Sequence, residues 1–265
     1  MNAPVASPLD VRLMNMTAVV LFLAFLALAS GSVARWLARS SVFDIAGISV
    51  LGDTGHNNAV TLRANVAPRL QGTFFTVDLA RVRAAFESVP WVRQAIVRRE
   101  FPNRLKVVLQ EHSAVAYWGP DSELRLINSH GEVFDANVGE VEQDVLPRLN
   151  GPDGQSAEVL AMYEALEPMF AHMDLSMNTL ELSGRGNWSA KLETDARIEL
   201  GRGTVDEVSA RAQRFLKTLT QITTRYGRPV SAIESADLRH ENGYAIRMRG
   251  VSTQVAATPA NGPKK

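Results

Sequence analysis

The chain has 265 residues, 46% of them apolar and 21% charged, enough for one or two folded domains with accessory segments. Its 28 basic and 28 acidic residues cancel, so no whole-chain charge points to nucleic acid, and no nucleic-acid-binding signature occurs. Cysteine is absent, which excludes disulfides, thiolate metal sites, iron–sulfur clusters and a cysteine nucleophile.

Arg12 and Arg35 bracket an uncharged run, 13–34. A helix over it reaches about 33 Å at 1.5 Å per residue, against a bilayer core of about 30 Å. No polar face interrupts the run, which argues against a core helix of a soluble protein. Trp36 follows where an interfacial aromatic belongs. These features predict one membrane-spanning helix over 13–36. The rival reading is a signal peptide. Ala27-Leu28-Ala29 has the small-x-small form of a cleavage site, but the apolar run exceeds the usual h-region of about 7–15 residues. Positive charges near the two ends nearly balance and do not set the orientation. Residues 1–12 are expected to be disordered.

A first module, 43–112, reads strand, helix, helix, strand, strand. Phe43, Ile45, Ile48 and Val50 predict a first strand with a slip near Gly47. A helix is predicted over 59–70, with Leu62, Val66 and Leu70 on one face and Pro68 kinking or shortening it. Asp78 is the expected N-cap of a second helix, 79–89, whose Leu79, Val82, Phe86 and Val89 recur at steps of three and four. Strands over 92–99 and 105–110 flank the turn Phe101-Pro102-Asn103, and the alternation of Leu105, Val107 and Leu109 should face the helices.

A second module, 113–250, opens with a predicted hairpin, 124–127 and 132–134, around Asn128-Ser129-His130-Gly131. Residues 147–154 read as a loop. A helix over 157–170 follows, then strands over 179–183, 188–193 and 197–200. A long helix, 205–226, carries an apolar stripe of Val208, Ala212, Phe215, Leu219 and Ile222 and ends at Gly227 and Pro229. Strands over 232–239 and 244–249 close the module across Glu241-Asn242-Gly243, since Asn-Gly is a strong hairpin signal. The tail, 251–265, has too little apolar content to fold alone. The fold class is α/β in the α+β sense, behind a single N-terminal helix.

Catalytic constellations are missing. The five histidines include no pair four residues apart on a helix, and neither a nucleophile elbow nor a Walker loop occurs. Gly201-Arg202-Gly203 begins like a dinucleotide fingerprint, but Asp206 stands where the last glycine belongs. Glu111, Asp121 and Glu123 lie near the module junction with nothing to place two of them across a cleft. No cofactor and no metal site is expected. Arg93, Arg98, Arg99, Arg104 and Lys106 cluster on the first module's hairpin. They read either as a solubilising, edge-protecting surface or as a docking patch for an acidic partner or lipid headgroups, with Arg98, Arg99 and Arg104 as the candidates. In the last strand Tyr244, Ile246 and Met248 alternate with Arg247 and Arg249. Its edge either accepts a partner strand or is simply packed.

Several motifs occur in a telling order: Phe43-Asp44-Ile45, Ile48-Ser49-Val50-Leu51-Gly52, Gly72-Thr73-Phe74-Phe75, Pro90-Trp91-Val92, and Val97 through the Phe-Pro-Asn turn to Leu105. Behind the apolar helix they resemble the POTRA module of the FtsQ/DivIB family of bacterial division proteins. Ile127 to Phe134, Leu200-Gly201-Arg202-Gly203, Asp237-Leu238-Arg239 and Asn242 to Ile246 resemble that family's β domain.

The resemblance implies a non-enzymatic inner-membrane scaffold of the divisome, with a short cytoplasmic N-terminus and a large periplasmic part. It implies that the β domain binds FtsB, paired with FtsL, through its last strands and long helix. FtsK is implied at the POTRA module, with FtsW and FtsI as further members of the assembly. Partner contact is carried over to Arg202, Arg239, His240, Asn242, Tyr244, Ile246 and Met248, with Arg202 and Arg239 matching charged positions of the family's surface. His240 and Met248 depart from the tyrosine and tryptophan common there. Outside the family, the sequence also admits a POTRA-type interaction module of envelope assembly, or a wall-active enzyme released by cleavage after Ala29.

Overall fold

A helix, α1 (Leu9–Ala38), opens the structure, a computed structural model that describes residues 9–141, 146–240 and 243–251. It is long and apolar enough to cross a membrane, and none of its residues is buried against the rest of the protein. It starts earlier than expected. Leu9 to Arg12 form its first turn, where residues 1–12 were expected to be disordered. Helical hydrogen bonding propagates cheaply outward from an established apolar core, so the polar flank is recruited. The chain divides into two units with the boundary between Glu111 and His112.

In the first unit, β1 (Gly47–Gly52), α2 (Ala59–Val66), α3 (Leu79–Glu87), β2 (Val92–Glu100) and β3 (Arg104–Glu111) follow in chain order. The sheet order is β1-β3-β2, with β1 parallel and β2 antiparallel to β3. Leu105, Val107 and Leu109 are buried while Arg104, Lys106 and Gln110 face water, so period-two alternation gives the sheet one wet and one dry face. Leu62, Val66, Val82 and Phe86 complete the core from the helices.

Asp78 caps α3 by accepting from the backbone N–H groups of Ala80 and Arg81. Two predicted boundaries shift. α2 ends at Val66, and a 3-10 turn, Ala67–Arg69, replaces its last turn, because Pro68 has no N–H to donate and disfavours α geometry before it. Phe43 sits in a 3-10 turn (Ser41–Phe43) rather than a strand, leaving β1 to begin at Gly47.

The second unit is built on one sheet of nine strands. In chain order these are β4 (Ala114–Trp118), β5 (Arg125–Asn128), β6 (Val133–Phe134), β7 (Arg148–Asn150), β8 (Met177–Leu182), β9 (Trp188–Leu192), β10 (Arg197–Gly201), β11 (Ile233–Asp237) and β12 (Ala245–Met248). Across the sheet the order is β12-β11-β10-β9-β8-β7-β4-β5-β6, so β12 and β6 are its edges. Helices α4 (Ser156–Ala171) and α5 (Val205–Arg225) pack on it. Val159, Leu166, Phe170, Val208, Phe215 and Leu219 join the inward residues of the strands in one core.

β4 and β7 escape sequence reading. Ala114-Val115-Ala116-Tyr117-Trp118 lacks alternation because its apolar residues run together. β7 has three residues between Pro147 and Gly151, which read as a loop, yet Leu149 is fully buried between β4 and β8.

Candidate protein-docking surface

The free edge of β12 and the ground beside it form the most distinctive surface of the second unit. Backbone direction along β12 follows from three contacts. Leu238 N–H donates to Glu199 O on β10, so alternation turns Asp237 and Ser235 toward β12. Their partners there are Ala245 and Arg247, and the series continues with Arg249 N–H donating to Ala232 O. The N–H and C=O groups of Ile246 and the N–H of Met248 therefore point away from β11, off the sheet, while Met248 O accepts from Val251 N–H at 3.2 Å. Among the described residues no strand covers them.

Side-chain direction follows the same parity. Ile246 and Tyr244 are half-buried against the core, and Met248 is buried. Met248 thus packs inward, and what it presents at the open edge is its backbone N–H. Ala245, Arg247 and Arg249 lie on the wet face, where Arg247 pairs with Glu234 and Arg249 donates to Thr194 O.

Next to the start of β12 lies a groove lined by Phe215, Thr218, Leu238, His240 and Tyr244, with Arg211, Arg214 and Lys217 also on its wall. Tyr244 meets Phe215 edge-on at 5.0 Å between ring centroids, and its hydroxyl bonds that of Thr218. These contacts fix an apolar floor beneath the place where an added strand would lay its side chains. Asn242 lies outside the described residues.

Arg211 also lines a second, polar hollow with Ser183, Arg185, Asn187, Gly201, Arg202 and Arg239. The turn Gly201-Arg202-Gly203 shapes it. Gly201 and Gly203 have φ of +84° and +135°, and a Cβ on Gly203 would come within 2.5 Å of Glu207 Oε2. The tight turn lets Arg211 donate to Leu200 O and Arg202 O, and leaves the Arg202 side chain exposed. Thr204 and Glu207 close it with a reciprocal capping box at the start of α5.

Arg239 is held differently. Asp237 accepts from its Nε at 2.9 Å, from its Nη2 at 2.5 Å and from its backbone N–H at 3.0 Å. The Arg239 side chain beside it pulls the Asp237 carboxyl down from 3.8 to about 2, against a smaller opposing effect of burial. Among the described residues no carboxylate pairs with Arg185, Arg202 or Arg211, so the hollow is a net cationic site.

The depressed Asp237 pKa has a consequence for stability. Its contribution is complete above about 4, the unfolded value, and is lost as pH falls from there toward 2. Water screening around an exposed Arg239 limits it to about 1 kcal/mol. Asp237→Asn should remove that slope from a plot of urea-derived stability against pH and lower stability at neutral pH by the same small amount.

In the first unit the three basic candidates separate. Arg98 and Arg104 are exposed on the β2–β3 hairpin. Arg99 is exposed too, but its guanidinium is also engaged within the unit: its Nε donates to Phe74 O at 2.7 Å and its Nη2 to Val77 O at 2.8 Å. It is a structural brace as well as a docking candidate. Arg99→Ala should cost the first unit about 1–3 kcal/mol in urea unfolding, and Arg98→Ala close to nothing.

Sequence reading missed Arg185, Arg211, Phe215 and Thr218 as parts of this surface. Arg185 sits in a two-glycine turn that looks like ordinary loop, Phe215 reads as an ordinary member of the apolar stripe of α5, and Arg211 and Thr218 lie off that stripe. Only the position of β12 beside α5 assigns them to a docking surface.

Comparison with known proteins agrees with this architecture. A family model for the C-terminal part of the cell division protein FtsQ/DivIB matches residues 116–239, and one for the FtsQ-type POTRA domain matches residues 43–112. The cell division protein FtsQ of Thiomonas arsenitoxydans is 40% identical over 252 residues, covering 94% of this chain and 91% of the relative. That of Burkholderia pseudomallei is 40% identical over 243 residues, covering 91% and 94%. That of Bordetella pertussis is 36% identical over 275 residues, covering 97% and 98%. With two family models covering most of the folded body and such relatives matching nearly end to end, the chain belongs to the FtsQ/DivIB family of cell division proteins.

Proposed function

We propose that this protein is a non-enzymatic, single-pass scaffold of the division machinery that captures FtsB, paired with FtsL, by adding a strand to β12. The free outward N–H and C=O of Ile246, with the outward N–H of Met248, carry this reading. An edge strand offers a row of donors and acceptors to a partner, the groove under Tyr244 accepts alternate apolar side chains, and the arginine hollow accepts the partner's carboxylates. The same reading places the short N-terminus in the cytoplasm and both folded units, 43–112 and 113–250, in the periplasm. Confinement to one membrane by α1 raises the effective concentration of partners anchored beside it. FtsK docks on the first unit, where Arg98 and Arg104 remain open, and FtsW and FtsI join through the assembled complex.

Hydrogen exchange on the full chain in nanodiscs, with and without FtsB–FtsL, tests the central claim. The amides of Ile246 and Met248 should gain protection on capture, while those of Ala245 and Arg247, already in the ladder, change little. Capture with the gain confined to other elements overturns strand addition. Depletion of the protein in cells should give undivided filaments.

A further inference from the structure

The first unit carries a cluster of exposed apolar side chains beside the end of α1. Phe101 is 78% exposed, Val42 73% and Phe75 49%, in a protein whose other aromatic rings outside α1 are mostly covered. Phe75 and Phe101 belong to one connected group of rings, which Val42 adjoins in sequence through Phe43. Phe43 and Phe75 pack edge-on at 4.8 Å, Phe74 and Phe75 at 5.2 Å, and Phe74 and Phe101 at 6.3 Å. Phe74 N–H donates to Phe43 O, and Arg99 holds Phe74 O from the other side.

This group is tied to the end of the apolar helix. Thr73 Oγ1 donates to the carbonyl of Ala38, the last residue of α1, at 2.5 Å, and Thr73 forms a β-bridge with Asp44. The uncharged run ends at Ala34, so Ala38 lies about 6 Å further along a helix rising 1.5 Å per residue. A headgroup layer is about 5–8 Å thick on each side of the hydrocarbon. The contact between Thr73 and Ala38 therefore falls within that layer. Trp36, Arg35 and Arg39 stand at the same level, and with Ser40 and Ser41 they line a small open hollow.

We infer that Val42, Phe75 and Phe101 form a foot by which the first unit rests in the interface of the bilayer, with Arg35 and Arg39 on the phosphates of its headgroups. Aromatic rings favour this zone, where an apolar body is shielded and the surroundings stay polar. Exposed apolar side chains that would disfavour contact with water gain by insertion there. Docking would hold the unit at a set height and tilt instead of leaving it to swing on residues 39–46. The inference rests on α1 spanning the membrane.

The chain has no cysteine, so single nitroxide labels can be placed without removing native thiols. The full chain alone is reconstituted in nanodiscs of phosphatidylethanolamine and phosphatidylglycerol. Collisions with oxygen, which concentrates in lipid, are compared with those of a water-soluble nickel chelate. Labels stand at Leu23→Cys, Val42→Cys, Phe101→Cys and, on β2 seven residues before Phe101, Gln94→Cys. The oxygen-to-chelate ratio at Val42 and Phe101 should exceed that at Gln94 by about threefold or more. Phe75→Asp with Phe101→Asp should return the Val42 label to the Gln94 value, and both sites are exposed enough to accept the change without unfolding. A lipid-like Leu23 with a water-like Val42 and Phe101 overturns the foot and leaves the span standing. A water-like Leu23 overturns the span itself, and the foot with it. No division partner is present, and the oxygen-to-chelate ratio reports lipid rather than burial against protein, so a lipid-like value at the foot does not come from a protein partner.

Discussion

Ile246→Pro is expected to weaken FtsB–FtsL capture by about 100-fold while leaving the protein folded. Each lost backbone hydrogen bond costs about 1–1.5 kcal/mol, and 1.4 kcal/mol is a factor of ten in affinity. Proline at this position removes the outward Ile246 donor, and its ring fills space that an arriving strand needs. It does not touch the ladder to β11, which uses Ala245 and Arg247. Proline is tolerated on an edge strand when its missing donor faces outward, and Ala245 before it is already extended. The stability cost comes from the Ile246 side chain, half-buried against the core, at about 1 kcal/mol.

Arg247→Pro is the informative contrast. It deletes an inward donor opposite Ser235, so it should lower the urea midpoint and capture together. Calorimetric titration with FtsB–FtsL, paired with urea unfolding, separates the two variants. Unimpaired capture by Ile246→Pro would rule out a strand added at this edge.

Much of this architecture was legible in the sequence because hydrophobic periodicity was strong where one face is wet. α5 shows this best: Val208, Ala212, Phe215 and Leu219 are fully buried at the predicted spacing, and Thr204 caps the helix where it should begin. β3 and β9 alternate as read. Periodicity failed where the apolar run is continuous or the strand is too short to show a period. In β4 the neighbours Ala116, Tyr117 and Trp118 are all buried, and β7 has three residues with only Leu149 buried, so neither gave a period-two signal.

The docking surface was half legible for a related reason. Arg202 and Arg239 stand in recognisable motifs, and the hollow brings them together. Whether an apolar residue in β12 faces a partner or the protein's own core cannot be read from alternation alone, since an apolar face turned to either gives the same alternation. Met248 turned inward opposite Ile233 of β11, a fact of tertiary packing. Arg98 and Arg99 are sequence neighbours of equal charge, yet only Arg99 reaches the carbonyls of Phe74 and Val77.

Arg202→Glu combined with Arg239→Glu should produce the larger loss, about 1,000-fold in capture. Truncating one partner of a buried, hydrogen-bonded charge pair costs about 2–5 kcal/mol, and reversal adds repulsion. The exposed rim of this hollow brings each site toward the lower end of that range, near 2 kcal/mol, and two sites give about three decades. Local consequences differ between the positions. Glu at 202 leaves the turn intact, because Arg211 is anchored on the backbone carbonyls of residues 200 and 202 rather than on the Arg202 side chain. Glu at 239 meets Asp237 without a cation between them, so the Asp237 pKa rises back toward its ordinary value and the acid-dependent stability disappears. Part of the lost affinity should be in the association rate, because a cationic hollow steers an acidic partner. Salt should therefore weaken the wild type more than the double variant. Arg202→Lys with Arg239→Lys keeps the charge but loses the planar fork, and should fall between the two, about tenfold below wild type. Surface-plasmon measurements across a salt series on full chains in nanodiscs give all of these quantities together. Wild-type affinity in the double reversal would remove the arginine hollow from the interface and leave the β12 edge to hold the partner alone.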